Sequence, residues 1–134
     1  MEENFFYKNK EKGIIREELL TARAKEWAKK FINVNPREDK QLNSAQLRRF
    51  YNEVKHLEGR VSIEGFEKMK PLIKMLKSKV SYACPKKVGD RKVPATFKNY
   101  INEMVDNVID EQDFKAFVLS FESVVGFFYG EGGR

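Results

Sequence analysis

Asn43-Ser44-Ala45-Gln46-Leu47-Arg48-Arg49-Phe50-Tyr51-Asn52-Glu53-Val54-Lys55-His56-Leu57-Glu58-Gly59 repeats an apolar side chain every third or fourth place. Leu47, Phe50, Tyr51, Val54 and Leu57 align at about 100° per residue, the period of an amphipathic α-helix. Asn43 and Ser44 offer N-cap oxygens, and Gly59 offers a C-terminal stop. The same period extends both ways. Upstream, Leu20, Ala24, Trp27 and Phe31 predict a first helix from about Ile14 to Phe31. It ends before Asn33-Val34-Asn35-Pro36, because Pro36 biases the chain away from helix. Residues 33–43 read as a polar loop. Downstream, a third helical segment runs from near Ser62 to Ala83, with Met69, Ile73, Leu76, Val80 and Ala83 on one side and a break or kink expected at Pro71. Residues 85–94 form a basic loop rich in turn formers. A fourth helix begins at Pro94 or Ala95 and turns Phe97, Tyr100, Ile101, Met104, Val105 and Val108 inward. A fifth spans about Asp110 to Phe128, followed by a glycine-rich frayed end. No segment alternates with period two over strand length. The expectation is an all-α fold, a single compact bundle of about five helices over residues 1–134. Residues 1–12 are expected to be a loose arm that docks Phe5, Phe6 and Tyr7.

Bulk properties agree with one soluble domain. The chain has 134 residues, 41% of them apolar, and eleven are Phe, so a core is available despite 34% charged residues. Its one cysteine, Cys84, excludes an intramolecular disulfide and fits a reducing compartment. The start, Met1-Glu2-Glu3-Asn4-Phe5-Phe6, lacks a signal peptide's apolar run, and nothing approaches the roughly 18 apolar residues of a membrane span. A cytoplasmic location with no membrane association is expected.

Charge is segregated along the chain. Residues 1–92 hold 23 Lys and Arg against 13 Asp and Glu, whereas residues 93–134 hold 3 against 7. Between Lys68 and Lys92 nine bases face one acid, Asp90. Such asymmetry points to a phosphate-bearing partner. Arg48, Asn52 and Lys55 lie in adjacent directions on the second helix, beside its inner face. Lys70, Lys74 and Lys77 do the same on the third, and Arg16, Arg23 and Lys30 on the first. One turn, about 5–6 Å, is near the phosphate repeat of a nucleic-acid strand. Lys79 and the loop residues Lys86, Lys87 and Arg91 extend the basic tract. The plainer reading is that rim lysines cover apolar surface with their stems and are solvated. Arg49 and His56 point more directly outward, towards a protein neighbour.

Catalytic signatures are sparse. One histidine and one cysteine cannot build a His/Cys metal cluster. There is no phosphate-cradling glycine loop and no nucleophile-elbow serine. Asp106, Asp110, Glu111 and Asp113 cluster at the last helix junction, where capping is the better role than cation binding. No enzyme activity, cofactor or metal is expected. Most Phe residues fall on inner faces, while Tyr82, Phe127 and Tyr129 turn away from the core. Backbone and shape contacts are therefore the anticipated mode of nucleic-acid binding.

Three runs carry a family resemblance: Ser44-Ala45-Gln46-Leu47-Arg48-Arg49-Phe50-Tyr51-Asn52-Glu53-Val54; Leu72-Ile73-Lys74-Met75-Leu76-Lys77-Ser78-Lys79-Val80-Ser81-Tyr82-Ala83; and Phe117-Val118-Leu119-Ser120-Phe121-Glu122-Ser123-Val124-Val125-Gly126-Phe127. In order and spacing, over roughly residues 40–130, the chain resembles the small helical subunit of type III-A CRISPR–Cas (Csm) effector complexes. The resemblance implies an all-helical, non-catalytic protein of antiviral defence. Copies of it would stack as a short filament beside the backbone subunits, within a complex that also holds a large subunit, and contact the guide RNA and target RNA. It marks Arg48, Lys74, Lys77 and Lys79 as RNA-facing. The sequence departs from the family pattern at Cys84-Pro85-Lys86-Lys87, where a basic residue is expected soon after Tyr82-Ala83, and at Gly126-Phe127-Phe128. The residues themselves leave two other classes open. One is a DNA-binding helix-turn-helix regulator hinged at Gly59-Arg60-Val61. The other is a helical adaptor without nucleic acid.

Overall fold

The computed structural model describes residues 4–134; Met1, Glu2 and Glu3 of the anticipated arm lie outside the described residues. Seven α-helical segments pack as five rods: α1 (Glu17–Leu20) with α2 (Ala22–Ile32), α3 (Ser44–Glu64), α4 (Phe66–Lys74) with α5 (Leu76–Ala83), α6 (Ala95–Asp106) and α7 (Glu111–Gly130). The all-α bundle expected from the sequence is what forms. One element lay outside that expectation, a small antiparallel hairpin of β1 (Tyr7–Asn9) and β2 (Ile14–Ile15), with Tyr7 opposite Ile15. Gly13, at φ 70°, supplies the positive-φ turn between them. Ile14 and Ile15 are therefore extended, not helical, as β-branched residues beside such a turn favour. The first rod starts at Glu17 and breaks at Thr21, whose hydroxyl donates to the Glu17 carbonyl at 2.9 Å and competes with the helical ladder.

Two other boundaries differ from the sequence reading. Gly59 does not stop the second helix, because Leu57 and Val61 continue its buried stripe across the glycine. One interior glycine costs only about 1 kcal/mol, which that burial offsets. The stop is Gly65, at φ 93°. Asn43 caps the start as expected, its side chain accepting from the Gln46 N–H at 2.9 Å. The interruption expected at Pro71 falls four residues later, at Met75. Pro71 itself stays within α4, so the rod bends where the next turn begins.

The core is strongly aromatic. Phe97 sits edge-on to Phe31 at 5.2 Å and to Phe50 at 5.3 Å, and Tyr100 to Phe121 at 5.9 Å, linking α2, α3, α6 and α7. These are preferred edge-to-face geometries, worth about 0.5–1.5 kcal/mol each beyond area burial. The Tyr100 hydroxyl is fully buried and is satisfied by Ser120 Oγ at 2.9 Å, and burial pushes its pKa well above the ordinary tyrosine value.

From Asn4 on, the arm is docked. Phe6 and Tyr7 are buried, and the Tyr7 hydroxyl donates to the Gln112 carbonyl. Asp113 ties the arm to the α6–α7 junction. Although only 1% exposed, it accepts from Asn4 Nδ2 at 3.0 Å and the Ile109 N–H at 3.1 Å, and pairs with Lys10 at 3.0 Å. Asp110 caps α7 through the Asp113 N–H, the capping role read from sequence. Replacing Asp113 by Ala should lower unfolding free energy by about 2–4 kcal/mol, since Lys10 keeps Asp110 as a partial partner. Urea unfolding should show this as a lower midpoint at unchanged slope.

Candidate nucleic-acid interface

Adjacent positions on α3 face different neighbours, and this divides the basic residues into separate groups. Arg48 leans towards α7, its Nε donating to the Tyr129 hydroxyl at 3.0 Å and its guanidinium lying over that ring at 5.5 Å. Asn52 is exposed on the same helix, and Lys55 pairs with Glu58 one turn away at 2.7 Å. The row on the third rod faces α6 instead. The Lys74 ammonium donates to the carbonyls of Val105 at 2.7 Å and Val108 at 2.8 Å, capping the end of α6. Burial first, and then the charge of Lys70, lowers the Lys74 pKa. Lys77 pairs with Asp106, and Lys79 with Glu53. Lys70 is half-buried. The row on the first rod is interrupted at Thr21. Arg16 donates to the Asn4 carbonyl, while Arg23 and Lys30 lie near Glu103 and Glu26.

The two main rows therefore face different neighbours, and the Lys74 ammonium is engaged as a helix cap. Among the described residues Arg48, Lys70, Lys86 and Lys87 have no carboxylate within 4 Å.

A different set does converge. Arg49, Lys79, Tyr82 and Lys92 line a groove of about 260 Å³ between α3 and the end of α5, with Gln46, Phe50, Glu53 and Ala83. The loop after α5 builds one wall. The N–H groups of Lys92 and Val93 both donate to the Ala83 carbonyl, at 2.8 and 3.2 Å, so the loop returns to its own start. That return places the Lys92 ammonium 5.6 Å from the centre of the Tyr82 ring. Lys86 and Lys87 stay exposed before the 3-10 turn Val88–Asp90. Arg91 latches the loop. It donates to the Pro85 carbonyl at 2.8 Å and pairs with Asp39 at 3.0 Å, while Asp39 also accepts the Ala95 N–H at 2.9 Å. Cys84 lies buried beneath the loop, and burial raises its thiol pKa.

Sequence reasoning assigned Arg49 to a protein neighbour, counted Lys92 without a role and noted Tyr82 only as turned outward. Their common signal was weak: Arg49 and Tyr82 each sit off the apolar stripe of their own helix. What joins them is the loop closure at Ala83, which periodicity does not encode. The helix-turn-helix alternative loses its hinge, because Gly59, Arg60 and Val61 are helical and only Gly65 separates α3 from α4. Among the described residues no group of three or more His, Cys, Asp or Glu is placed to hold a metal ion, and no helix is long and apolar enough to cross a membrane.

Comparison with known proteins decides the lineage. The sequence profile of the Csm2 Type III-A family matches residues 16–133. The chain belongs to that family. No curated protein and no solved structure gives a match. As a Csm2-family member it is a subunit of a type III-A CRISPR–Cas effector complex, alongside other subunits. The match covers all three resembling runs, every charged row and the groove.

The latch is pH-sensitive in a defined direction. Burial alone raises the Asp39 pKa, but the N–H groups of Ala95 and Lys40 and the Arg91 guanidinium outweigh it and hold the carboxyl below the usual carboxylate range. A depressed folded pKa stabilises fully above the unfolded value of about 3.9, and that stabilisation fades as pH falls through the lower folded value. Wild-type protein should therefore lose stability on acidification through that window more steeply than Asp39→Asn. Urea midpoints across an acid pH series measure the difference. Separately, Lys74→Met should destabilise by about 1–3 kcal/mol, because two carbonyls at the end of α6 lose their donor.

Proposed function

We propose that this Csm2-family subunit is a non-catalytic RNA-binding component that holds the guide–target RNA duplex of its complex by the phosphate backbone. The observation that carries the reading is the cationic face around the α3–α5 groove and its loop. There Arg49, Lys86, Lys87 and Lys92 have no carboxylate within 4 Å among the described residues. Unpaired ammonium and guanidinium groups release counterions when they meet phosphates, which supplies sequence-independent affinity.

The paired bases join them at small cost. Exposed ion pairs contribute about 0–1 kcal/mol, so Lys55, Lys77 and Lys79 can exchange a carboxylate for a phosphate. Arg48 and Asn52 extend the face along α3, and Lys70 extends it along α4. Arg91 acts from behind, by holding the loop. Contacts from one copy are few, so we assign the binding strength to several copies aligned beside the backbone and large subunits. Such a subunit works in the cytoplasm, where guide and target RNA meet. A non-catalytic role is supported by membership of the Csm2 family, a structural subunit family of the effector complex.

The Lys86→Ala/Lys87→Ala double variant tests the assignment. Its affinity for duplex RNA should fall whatever the sequence, and the slope of log K against log salt should flatten by about one unit per lost contact. Lys74→Met should leave that slope unchanged. A double variant with the wild-type slope would remove the loop from the interface.

A further inference from the structure

The α3–α5 groove has a feature that phosphate binding does not use. Tyr82 is 80% exposed on its rim, although most aromatic residues of this chain are buried. A side chain so placed gains little for folding. Beside it, Gln46 lines the groove and its Oε1 is buried with no hydrogen-bond partner. Acceptors are normally satisfied, and the half-buried Gln46 side chain can turn this one towards a donor seated in the groove. The charge balance of the lining is cationic, with Arg49, Lys79 and Lys92 against Glu53.

We infer that the groove takes one unpaired nucleobase of a bound RNA. The inference rests on the RNA-binding reading above and adds a second mode to it. A volume of about 260 Å³ is under the roughly 300–1,000 Å³ of ordinary small-molecule sites, and suits one flat ring system better than an extended cofactor. The base stacks on Tyr82, a contact open to any base because every base has a π-face. Its ring N–H or amino edge donates to Gln46 Oε1 once that side chain turns into the groove. Lys92, 5.6 Å from the Tyr82 ring centre, is held there only loosely and moves with Arg49 onto the flanking phosphates. A paired base cannot enter, so the groove selects for a bulged or unstacked nucleotide.

The test uses the full chain and three fluorescein-labelled RNA duplexes at low salt: one with a single unpaired adenosine, one with an abasic bulge, and one fully paired. Anisotropy should show the adenosine bulge bound more tightly than the other two. Tyr82→Ala should weaken binding of that bulge by roughly 5- to 150-fold, the range of one base–aromatic stack, and leave the paired duplex unchanged. Tyr82→Trp should keep the preference. Equal binding of the adenosine and abasic bulges by wild-type protein would overturn the pocket while leaving phosphate binding intact. So would a Tyr82→Ala variant that keeps wild-type affinity for the adenosine bulge. Failure of wild-type protein to bind any of the three would overturn both readings.

Discussion

Phe97 is the residue around which the bundle is set. Its ring meets Phe31 of α2, Phe50 of α3 and, at 6.2 Å, Phe121 of α7. Edge-to-face contacts are directional, so four helices are fixed in azimuth as well as in distance. The consequence reaches the surface, because Phe50 presses on Phe97 from one side and lines the α3–α5 groove on the other. The roll of α3 about its own axis is thereby set. That roll decides that Arg49 enters the groove while Arg48 goes to Tyr129.

A second constraint is electrostatic and gathers at the α6–α7 junction. Lys74 caps the end of α6, Asp110 caps the start of α7, and Asp113 binds Lys10 and the arm. Three charged side chains thus satisfy backbone groups that two helix ends would otherwise leave open. The acidic excess of residues 93–134 is in large part this junction. It meets the basic third rod at Lys77, which pairs with Asp106, while Lys74 is held by the backbone carbonyls of Val105 and Val108. On that tract Lys70, Lys86, Lys87 and Lys92 have no carboxylate within 4 Å among the described residues.

The sequence made the helix faces readable because apolar periodicity is a local property. The buried stripes of α3 and α6 follow the residues predicted for them, Tyr51 being half-buried, and Asn43 and Asp110 cap as their side-chain chemistry suggests. Gly59 and Ile14 misled for a physical reason. A glycine ends a helix only when no apolar stripe continues beyond it, and an isoleucine pair reads as helical until the glycine beside it turns the chain. The site was half legible. The sign of the charge and the loop that bears it were visible in order, but the partners of Lys77, Lys79 and Arg91 are Asp106, Glu53 and Asp39, each far away in sequence. One-helix reasoning shows where a lysine points and not what waits there.

That distinction governs what a basic tract means. A lysine row beside a buried face is compatible with two outcomes, an ion-paired rim or a free rim, and the count of charges is the same for both. They differ in response. A paired lysine must surrender a carboxylate before it meets a phosphate, and the net gain is the difference of two similar energies. An unpaired one releases only counterions, and its contribution falls with salt in proportion to the contacts made. Lys86, Lys87, Arg49 and Lys92 are of the second kind, and all but Arg49 are carried by the one loop that Ala83 and Asp39 hold in place. Binding and folding are thus separated on this surface. Lys74 and Lys77 bind at the end of α6, whereas Arg49 and Lys92 line the groove and Lys86 and Lys87 stand exposed on the loop.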